Sequence, residues 1–406
     1  MDTIDHGGMG HRDDTDGSEE SLGILSTSDL FYVGVTFYLS SWYKRRELSW
    51  RVSIFFSAAA LAGAFGGVLA YGITKMAGVG GQEGWRWIFY LEGILTVVVG
   101  AFAFFLINDF PSDQPKFLTE SECKRVMTRL QTDTGPGASE HFSWNQVLAA
   151  LSTWKIYVWS MCYIGIVVPF YSLAFFSPTI IQNLGFVNYE AQLLSAPPYV
   201  FAFLTTMVTA YLSDKYARRS IFIIFWFTGS IVGYTILIAV ENVIIKYLAL
   251  ILATGGLSPC ISTSIAFLSG NTSPQTKRAT ALAFMISVGN IGGVISGQIY
   301  RTQDAPRFIL GHAVNLGFCA FGLINVVILF FGLRAENRRR DRLYGPIPSS
   351  LAVASADSTS YGTDVERSDS CGLGSEEDRR RWGYENMSEE EIRDLGDRHA
   401  AWRYIL

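Results

Sequence analysis

Eight apolar stretches, each long enough to cross a bilayer as a helix, alternate with polar segments along the chain. They lie at residues 52–74, 86–107, 155–178, 194–213, 220–240, 246–268, 279–300 and 308–333. A hydrocarbon core about 30 Å thick needs about 20 apolar residues in a helix. Barrel strands are shorter and alternate in polarity, and lipid cannot satisfy an open sheet edge. The pattern predicts an all-α membrane protein with about eight transmembrane helices.

A shorter apolar run precedes these stretches, from Leu30 to Tyr43. As a helix it would cover only about 21 Å, so it cannot span the membrane alone. The segment before it is acidic, polar and rich in glycine, and residues 1–30 are therefore predicted to form a disordered leader. Taken by itself, the run is a loop, an interfacial helix or the end of a longer span.

Positive charge is sorted between the polar segments. One set is basic and the alternate set carries few cations, so the basic set is expected to be cytoplasmic. With eight spans, both termini are then also cytoplasmic. The cations of the basic set are Lys44, Arg45, Arg46 and Arg51, then Lys215, Arg218 and Arg219, then Lys277 and Arg278, then Arg334, Arg338, Arg339, Arg340 and Arg342.

Two polar segments are longer than a loop requires. Residues 109–152 form a central cytoplasmic loop, in which Thr119 and Glu122 have the spacing of a capping box for an amphipathic helix. Residues 335–406 form a cytoplasmic tail that is predicted to be mostly disordered, because it is rich in Ser, Asp, Glu and Arg. Its last stretch, from Ser388 onward, is either a short docking helix or a frayed terminus.

The amino-acid composition narrows the class of protein to which the chain can belong. Hydrophobic residues make up 49% of the chain and charged residues 17%, which indicates a protein whose environment is the lipid bilayer. The five cysteines contain no C-x-x-C pair, so no metal site, disulfide framework or cofactor is predicted. The histidines lie in termini, the central loop or the edge of a span, and no second carboxylate accompanies Glu92 inside a span. The pattern therefore does not favour an enzyme, and no nucleic-acid partner is expected.

One loop carries a compact charge motif, "AYLSDKYARRSIF" at residues 210–222. A carboxylate here can accept hydrogen bonds at a helix N-terminus, while the cations hold helix ends together. Ordinary positive-inside charge explains the cations but not the acid. The motif resembles the loop signature of the major facilitator superfamily, with Ala217 where that signature usually has Gly. It predicts a cytoplasmic latch formed by Asp214, Lys215, Arg218 and Arg219.

Further strings, in order along the chain, narrow the resemblance. "FYLSSWYKRREL", "GWRWIFYLEGILTVVVG", "FFSPTIIQNLGF", "AQLLSAPPYV", "NTSPQTKRATALAFMISVGNIGGVISGQIY" and "DAPRFILGHAVN" are similar to the fungal anion:cation symporter family, the allantoate, nicotinate and pantothenate permease group. The resemblance implies proton-coupled uptake of small organic anions, such as carboxylate vitamins or allantoate. It also implies a plasma-membrane protein, and a monomer is expected.

The resemblance places the short run at residues 30–43 at the end of the family's fourth helix. It implies an N-terminally truncated member that lacks roughly the first three and a half helices of the fold. Residues 31–108 would then be a remnant of the N-terminal half with two full spans, and residues 153–334 the six-helix C-terminal half. The expected function is secondary active transport by an incomplete copy. The alternative is a non-transporting membrane protein or truncated gene product, and uptake by the purified chain separates the two.

Glu92 is the one ionisable residue well inside a predicted span. A carboxyl group in hydrocarbon is costly unless it is paired or protonated, so Glu92 is a candidate for proton coupling. The alternative is a structural ion pair with Arg86 or Lys75 near the outer face.

Neutral polar residues on the spans are candidates for the cavity lining, with helix-packing hydrogen bonds as the alternative role. They are Tyr163, Tyr171, Ser262, Thr263, Asn290 and Gln298.

Two faces of small residues predict close helix packing. Gly289, Gly293 and Gly297 form one, and the resemblance implies that its partner is a helix outside this chain. Ala59, Gly63 and Gly67 form the other, whose expected partner is the span at residues 194–213. Glycine tolerated on a lipid-facing surface is the alternative for both faces.

Overall fold

The fold was analysed in a computed structural model of the chain. It describes residues 34–35, 38–39, 42–43, 45–74, 76, 78–108, 117–134, 143–186, 188–216, 218–305, 307–345, 376–388, 391–392 and 395–406. The leader at residues 1–30 lies outside this part, and so do Lys44, Lys75 and Ala217. The α-helices of the described part are α1 (Arg45–Thr74), α2 (Gly84–Leu106), α3 (Glu120–Thr134), α4 (Trp144–Leu151), α5 (Trp154–Asn183), α6 (Asn188–Leu194), α7 (Ala196–Tyr216), α8 (Arg219–Ala239), α9 (Val243–Asn271), α10 (Gln275–Ser296), α11 (Ile309–Tyr344) and α12 (Glu376–Trp382).

Each of the eight predicted spans coincides with one of the long helices, namely α1, α2, α5, α7, α8, α9, α10 and α11. Six of these are long and apolar enough to cross a membrane, among the described residues: α5, α8, α9, α10, α11 and the part of α2 from Arg86. In α1 only Trp50–Gly63 forms a shorter apolar helix. Helix α7 is less apolar because it buries several hydroxyls, those of Thr205, Thr206, Thr209 and Ser213.

Helix α9 lies at the centre of the bundle and packs against α1, α5, α7 and α8. All of its residues from 253 to 271 are buried. Small residues let the neighbours approach closely, since a Cβ atom on Gly256 would lie 2.9 Å from the carbonyl oxygen of Trp226 on α8. On the other side, Thr205 Oγ1 of α7 donates to the carbonyl oxygen of Gly255 at 2.8 Å. At Gly255 and Gly256, α9 therefore lies in close contact with α7 on one side and α8 on the other.

A second group of helices, α5, α10 and α11, packs on the same core, and α11 also contacts α8. Backbones meet directly where α5 crosses α11, because a Cβ on Gly165 would lie 2.6 Å from the Cα of Gly322. Nearby, the Tyr234 hydroxyl of α8 donates to the carbonyl oxygen of Pro169 at 3.2 Å. Close contact between small residues is the usual way in which helices associate in lipid.

The glycine face on α10 has a partner within the chain, which differs from the expectation drawn from the resemblance. A Cβ on Gly289 would overlap the ring of Tyr163 on α5, and one on Gly293 would lie 3.4 Å from the ring of Tyr171. At Gly297 a Cβ would meet only carbonyl oxygens of α10 itself. The partner is α5, which packs against α10, and residue spacing alone does not encode which of two distant helices come together.

The glycine face on α1 meets the partner that was expected for it. A Cβ on Gly63 would lie 3.2 Å from the ring of Tyr199, near the start of α7. Gly67 lies one turn further along α1. Helix α1 packs against α7, with the close approach at Gly63, and it also contacts α9.

Helix α2 stands apart from this core. It packs on α1, and none of the apolar window that could cross a membrane is buried within the described part of the chain. Its phenylalanines at 104 and 105 are each 83% exposed. An apolar helix with this exposure is consistent with a surface that faces lipid or another helix.

The polar segments are more ordered than their composition suggests. In the central loop, the backbone N–H and hydroxyl of Thr119 donate to Glu122 Oε2 at 2.9 and 2.7 Å. The first of these bonds is one half of the predicted capping box, and the two together lower the pKa of Glu122. In the tail, residues 335–344 continue α11, and residues 396–406 are folded against the helix bundle. The prediction of a mostly disordered tail therefore does not hold for these parts, while residues 346–375 lie outside the described residues.

The contact between Gly165 and Gly322 gives a test of the packing. Gly165→Ala should lower the free energy of unfolding by about 1–3 kcal/mol, as is typical of overpacking, because α5 and α11 must move apart. The purified protein should therefore have a lower melting temperature. Gly317→Ala is the matched control on α11, since a Cβ at Gly317 meets nothing within 4 Å and alanine is the better helix former. Equal melting temperatures for the two variants would contradict this packing.

Candidate functional site

The predicted latch lies where α7 ends and α8 begins. Asp214, in the last turn of α7, accepts a hydrogen bond from the backbone N–H of Trp50 to Oδ2 at 2.7 Å. Its Oδ1 lies 3.8 Å from Nη2 of Arg219, the first residue of α8. Trp50 belongs to the second turn of α1, and its ring lies edge-on to that of Tyr211 at 6.3 Å. The carboxylate therefore joins α1 to the α7–α8 loop through one hydrogen bond and one ion pair.

Among the described residues, Arg219 is the largest fully buried side chain, with 2% of its surface exposed. Its Nη1 donates a hydrogen bond to the carbonyl oxygen of Ala266 on α9. A Cβ on Gly270 would overlap the same nitrogen, so glycine at this position leaves the space that the guanidinium fills. A buried charge needs a counter-ion and hydrogen-bond acceptors, and Asp214 and Ala266 supply them.

The two other cations of the motif have different surroundings. The side chains of Lys215 and Arg218 are exposed. Positive-inside charge accounts for these two, whereas Asp214 and Arg219 are the structural pair. The sequence pattern brought all four together but did not show which cation is buried.

The candidate cavity residues on α5 and α10 lie together. The Tyr171 hydroxyl donates to Asn290 Oδ1 at 3.4 Å, and the Tyr171 ring stacks on Phe175 with 5.8 Å between ring centroids. Tyr163 packs two turns away, against Gly289. Tyr171 and Asn290 thus form a small polar cluster between two helices, with a hydroxyl and an amide that can both donate hydrogen bonds.

The remaining cavity candidates are not brought into that cluster. Ser262 and Thr263 are buried in the centre of α9, each 1% exposed, and Ser262 Oγ donates to the carbonyl oxygen of Pro259 at 3.3 Å. Within the described residues, Thr263 Oγ1 is buried without a hydrogen-bond partner. Gln298 is exposed just after the end of α10. The candidates therefore divide into a polar cluster, a buried pair and one exposed side chain.

Glu92 lies on α2 with its side chain exposed. It forms no ion pair with Arg86, which donates instead to Gln82 Oε1 at 2.7 Å. Six residues separate Glu92 from Arg86, which places them on different faces of the helix. The expected Arg86 pair is thus absent for a geometric reason, while Lys75 lies outside the described residues.

A buried polar network that the sequence did not single out joins the ends of α10 and α11. Tyr300 Oη lies 2.9 Å from His312 Nδ1, and Asn315 Nδ2 donates to the same oxygen at 3.2 Å. His312 and Asn315 are three residues apart, so one face of α11 carries both. Two polar residues at this spacing inside an apolar span are the sequence feature that could have indicated the network. Neither this network nor any other group of side chains in the described part has the composition of a metal site.

Comparison with known proteins gives a family. Residues 26–297 match the Major Facilitator Superfamily. Over 335 residues the chain is 35% identical to a Penicillium expansum protein named MFS-type transporter cnsO, covering 79% of this chain and 64% of that protein. It is 30% identical over 312 residues to the high-affinity nicotinic acid transporter of Saccharomyces cerevisiae, covering 77% and 58% of the two chains.

Solved structures show the same fold. The MFS proton:xylose symporter XylE bound to 6-bromo-6-deoxy-D-glucose superposes with a TM-score of 0.55 at 15% identity, covering 73% of this chain and 66% of that one. The chain spans about three-fifths of the length of the curated relatives named above. The family match, the helical fold and the apolar helices agree: this is a multi-pass membrane protein and it belongs to the Major Facilitator Superfamily.

Proposed function

We propose that the chain carries the helices of a secondary active transporter that takes up small organic anions together with protons at the fungal plasma membrane. The resemblance to the anion:cation symporter group and the similarity to a nicotinic acid transporter support this substrate class. The observation that carries the proposal is the link from Asp214 to Trp50 and Arg219, because it joins two groups of helices at one end of the bundle.

In an alternating-access transporter, the link from Asp214 to Trp50 would hold one end of the protein closed. Carriers of this type expose a central site to each side in turn, as two helical units rock against each other. We assign α1 and α2 to one unit and α5 to α11 to the other, with both termini on the cytoplasmic side. Asp214 then acts as a latch across the cytoplasmic ends of the two units. Hydrogen bonds to charged groups contribute about 1.5–3 kcal/mol, which is strong enough to hold a closed state and weak enough to break in each cycle.

The Tyr171–Asn290 cluster is the proposed contact for the anion. A carboxylate substrate needs hydrogen-bond donors. In this proposal the Tyr171 hydroxyl turns from Asn290 Oδ1 to the anion, and the Asn290 amide group adds a second donor. Tyr171 is half-buried, so it lies between the packed interior and the surface of the α5–α10 face. We assign no coupling role to Glu92, because its exposed side chain has no described contact with Tyr171 or Asn290.

Uptake by the purified chain tests the function. In proteoliposomes, an inward proton gradient should drive accumulation of radiolabelled nicotinate or a similar small carboxylate, and a protonophore should abolish it. Tyr171→Phe should raise the KM about tenfold, as expected for the loss of one hydrogen bond to a charged group. Tyr157→Phe is the control, because the Tyr157 hydroxyl donates to the carbonyl oxygen of Leu151 at the far end of α5. Absence of uptake would favour the non-transporting alternative.

The role of Asp214 as a latch can be tested by its effect on the uptake rate. Asp214→Asn should lower the initial uptake rate about tenfold or more, because the buried Arg219 loses its counter-ion and the closed state is weakened. Lys215→Gln, an exposed neighbour, should leave the rate within twofold of the unsubstituted protein. Rates are normalised to the amount of protein in the membrane. If Asp214→Asn transported at the unsubstituted rate, Asp214 would have no role as a latch.

A further inference from the structure

The C-terminal segment, residues 396–406, is docked on the same end of the bundle as the latch. The backbone N–H of Asp397 donates to the carbonyl oxygen of Ser273, in the α9–α10 loop, at 3.1 Å. The side chain of Asn271 pairs with the backbone of Ile405, accepting from its N–H at 2.7 Å and donating to its carbonyl at 3.0 Å. Two-sided pairing of this kind fixes the position of the segment along α9.

Arg340 on α11 holds the turn of the C-terminal segment together. Its Nη1 donates to the carbonyl oxygens of Asp397, His399 and Trp402 at 2.9, 3.3 and 3.2 Å. The guanidinium also lies 5.0 Å from the ring centroid of Tyr404. One buried cation thus ties together three backbone carbonyl groups of the turn.

A buried ion pair makes the docking specific. Lys277 Nζ lies 2.6 Å from Asp397 Oδ1, and the two side chains are only 5% and 7% exposed. Trp402 and Tyr404 are each 5% exposed and belong to the main hydrophobic core. A segment that merely adhered to the surface would leave its charges in water, because burying an unpaired charge is costly.

The C-terminal segment and the latch meet at one residue. A Cβ built on Gly270 would overlap Arg219 Nη1 and would lie 3.5 Å from Ile405 Cδ1. The next residue, Asn271, binds the backbone of Ile405. The last turn of α9 therefore has the buried guanidinium of the latch on one side and the docked segment on the other.

We propose that the C-terminal segment is a regulatory element that controls the latch. When docked, it holds the last turn of α9 against Arg219, and it thereby stabilises the contact of Asp214 with Trp50. When released, it leaves that turn free to move and favours opening of the cytoplasmic end. Asp397, Lys277 and Asn271 act as positioning residues, because they reach the latch through α9 and do not touch Asp214 themselves.

Hydrogen exchange of the purified full chain, followed by mass spectrometry, tests this coupling without substrate, so the result does not depend on whether the chain transports. Asp397→Asn removes the charge that pairs with Lys277. It should raise exchange at least tenfold in residues 396–406 and also in the peptide that contains Trp50. Arg398→Ala is the matched control, since Arg398 is exposed in the same segment. The α5 residues 160–172 provide a reference that rises only on global unfolding.

A second variant keeps the test decisive if Asp397→Asn does not fold. Truncation after Leu395 removes the C-terminal segment and should give the same faster exchange at Trp50. Exchanging the charges, Lys277→Asp with Asp397→Lys, should restore slow exchange in both regions. The proposal is overturned if exchange at Trp50 stays unchanged while the C-terminal segment is released or absent, or if Asp397→Asn leaves the segment protected.

Discussion

The guanidinium of Arg219 must remain charged in a place with almost no water, and the surrounding structure is arranged to satisfy it. Asp214 supplies the counter-ion, and the carbonyl of Ala266 supplies an acceptor. Glycine at position 270 supplies the space. Leaving the buried guanidinium without its partners would be costly, so these four residues hold together the end of α7, the start of α8 and the last turn of α9. The hydrogen bond from Trp50 then ties α1 to that unit.

Close packing on several sides explains why α9 is rich in small residues. A helix that is buried on all sides from residue 253 to 271 must let four neighbours approach it, so glycine, serine, alanine and threonine replace larger apolar side chains. At the C-terminal end of α9, its small residues lie between the proposed latch and the C-terminal segment. Packing and the proposed regulation therefore depend on the same short stretch of helix.

Hydropathy predicted the positions of the eight long helices, because the thickness of the bilayer dictates a run of apolar residues that is visible in any sequence. The charge motif singled out Asp214, because positive-inside charge does not explain an acid among cations, and the structure places this residue against Trp50 and Arg219. Its role as a latch stays a proposal. Three features required the structure. Gly289 packs on Tyr163 of α5, a relation between distant segments that spacing does not encode. Ser262 and Thr263 are buried in α9, although their residue types suit a cavity wall equally well. The C-terminal segment docks through the ion pair of Lys277 and Asp397. The polar composition of the tail does not indicate which of its many charged residues will pair with the helix bundle.

We propose that one hydrogen bond, from the Trp50 backbone to Asp214, closes the cytoplasmic end of the bundle. Hydrogen exchange at the Trp50 amide measures that bond directly in the purified protein. We expect slow exchange in the unsubstituted chain and exchange about tenfold or more faster in Asp214→Asn, which corresponds to the loss of about 1.4 kcal/mol or more of protection. Equal exchange at Trp50 in the two proteins would contradict this proposal.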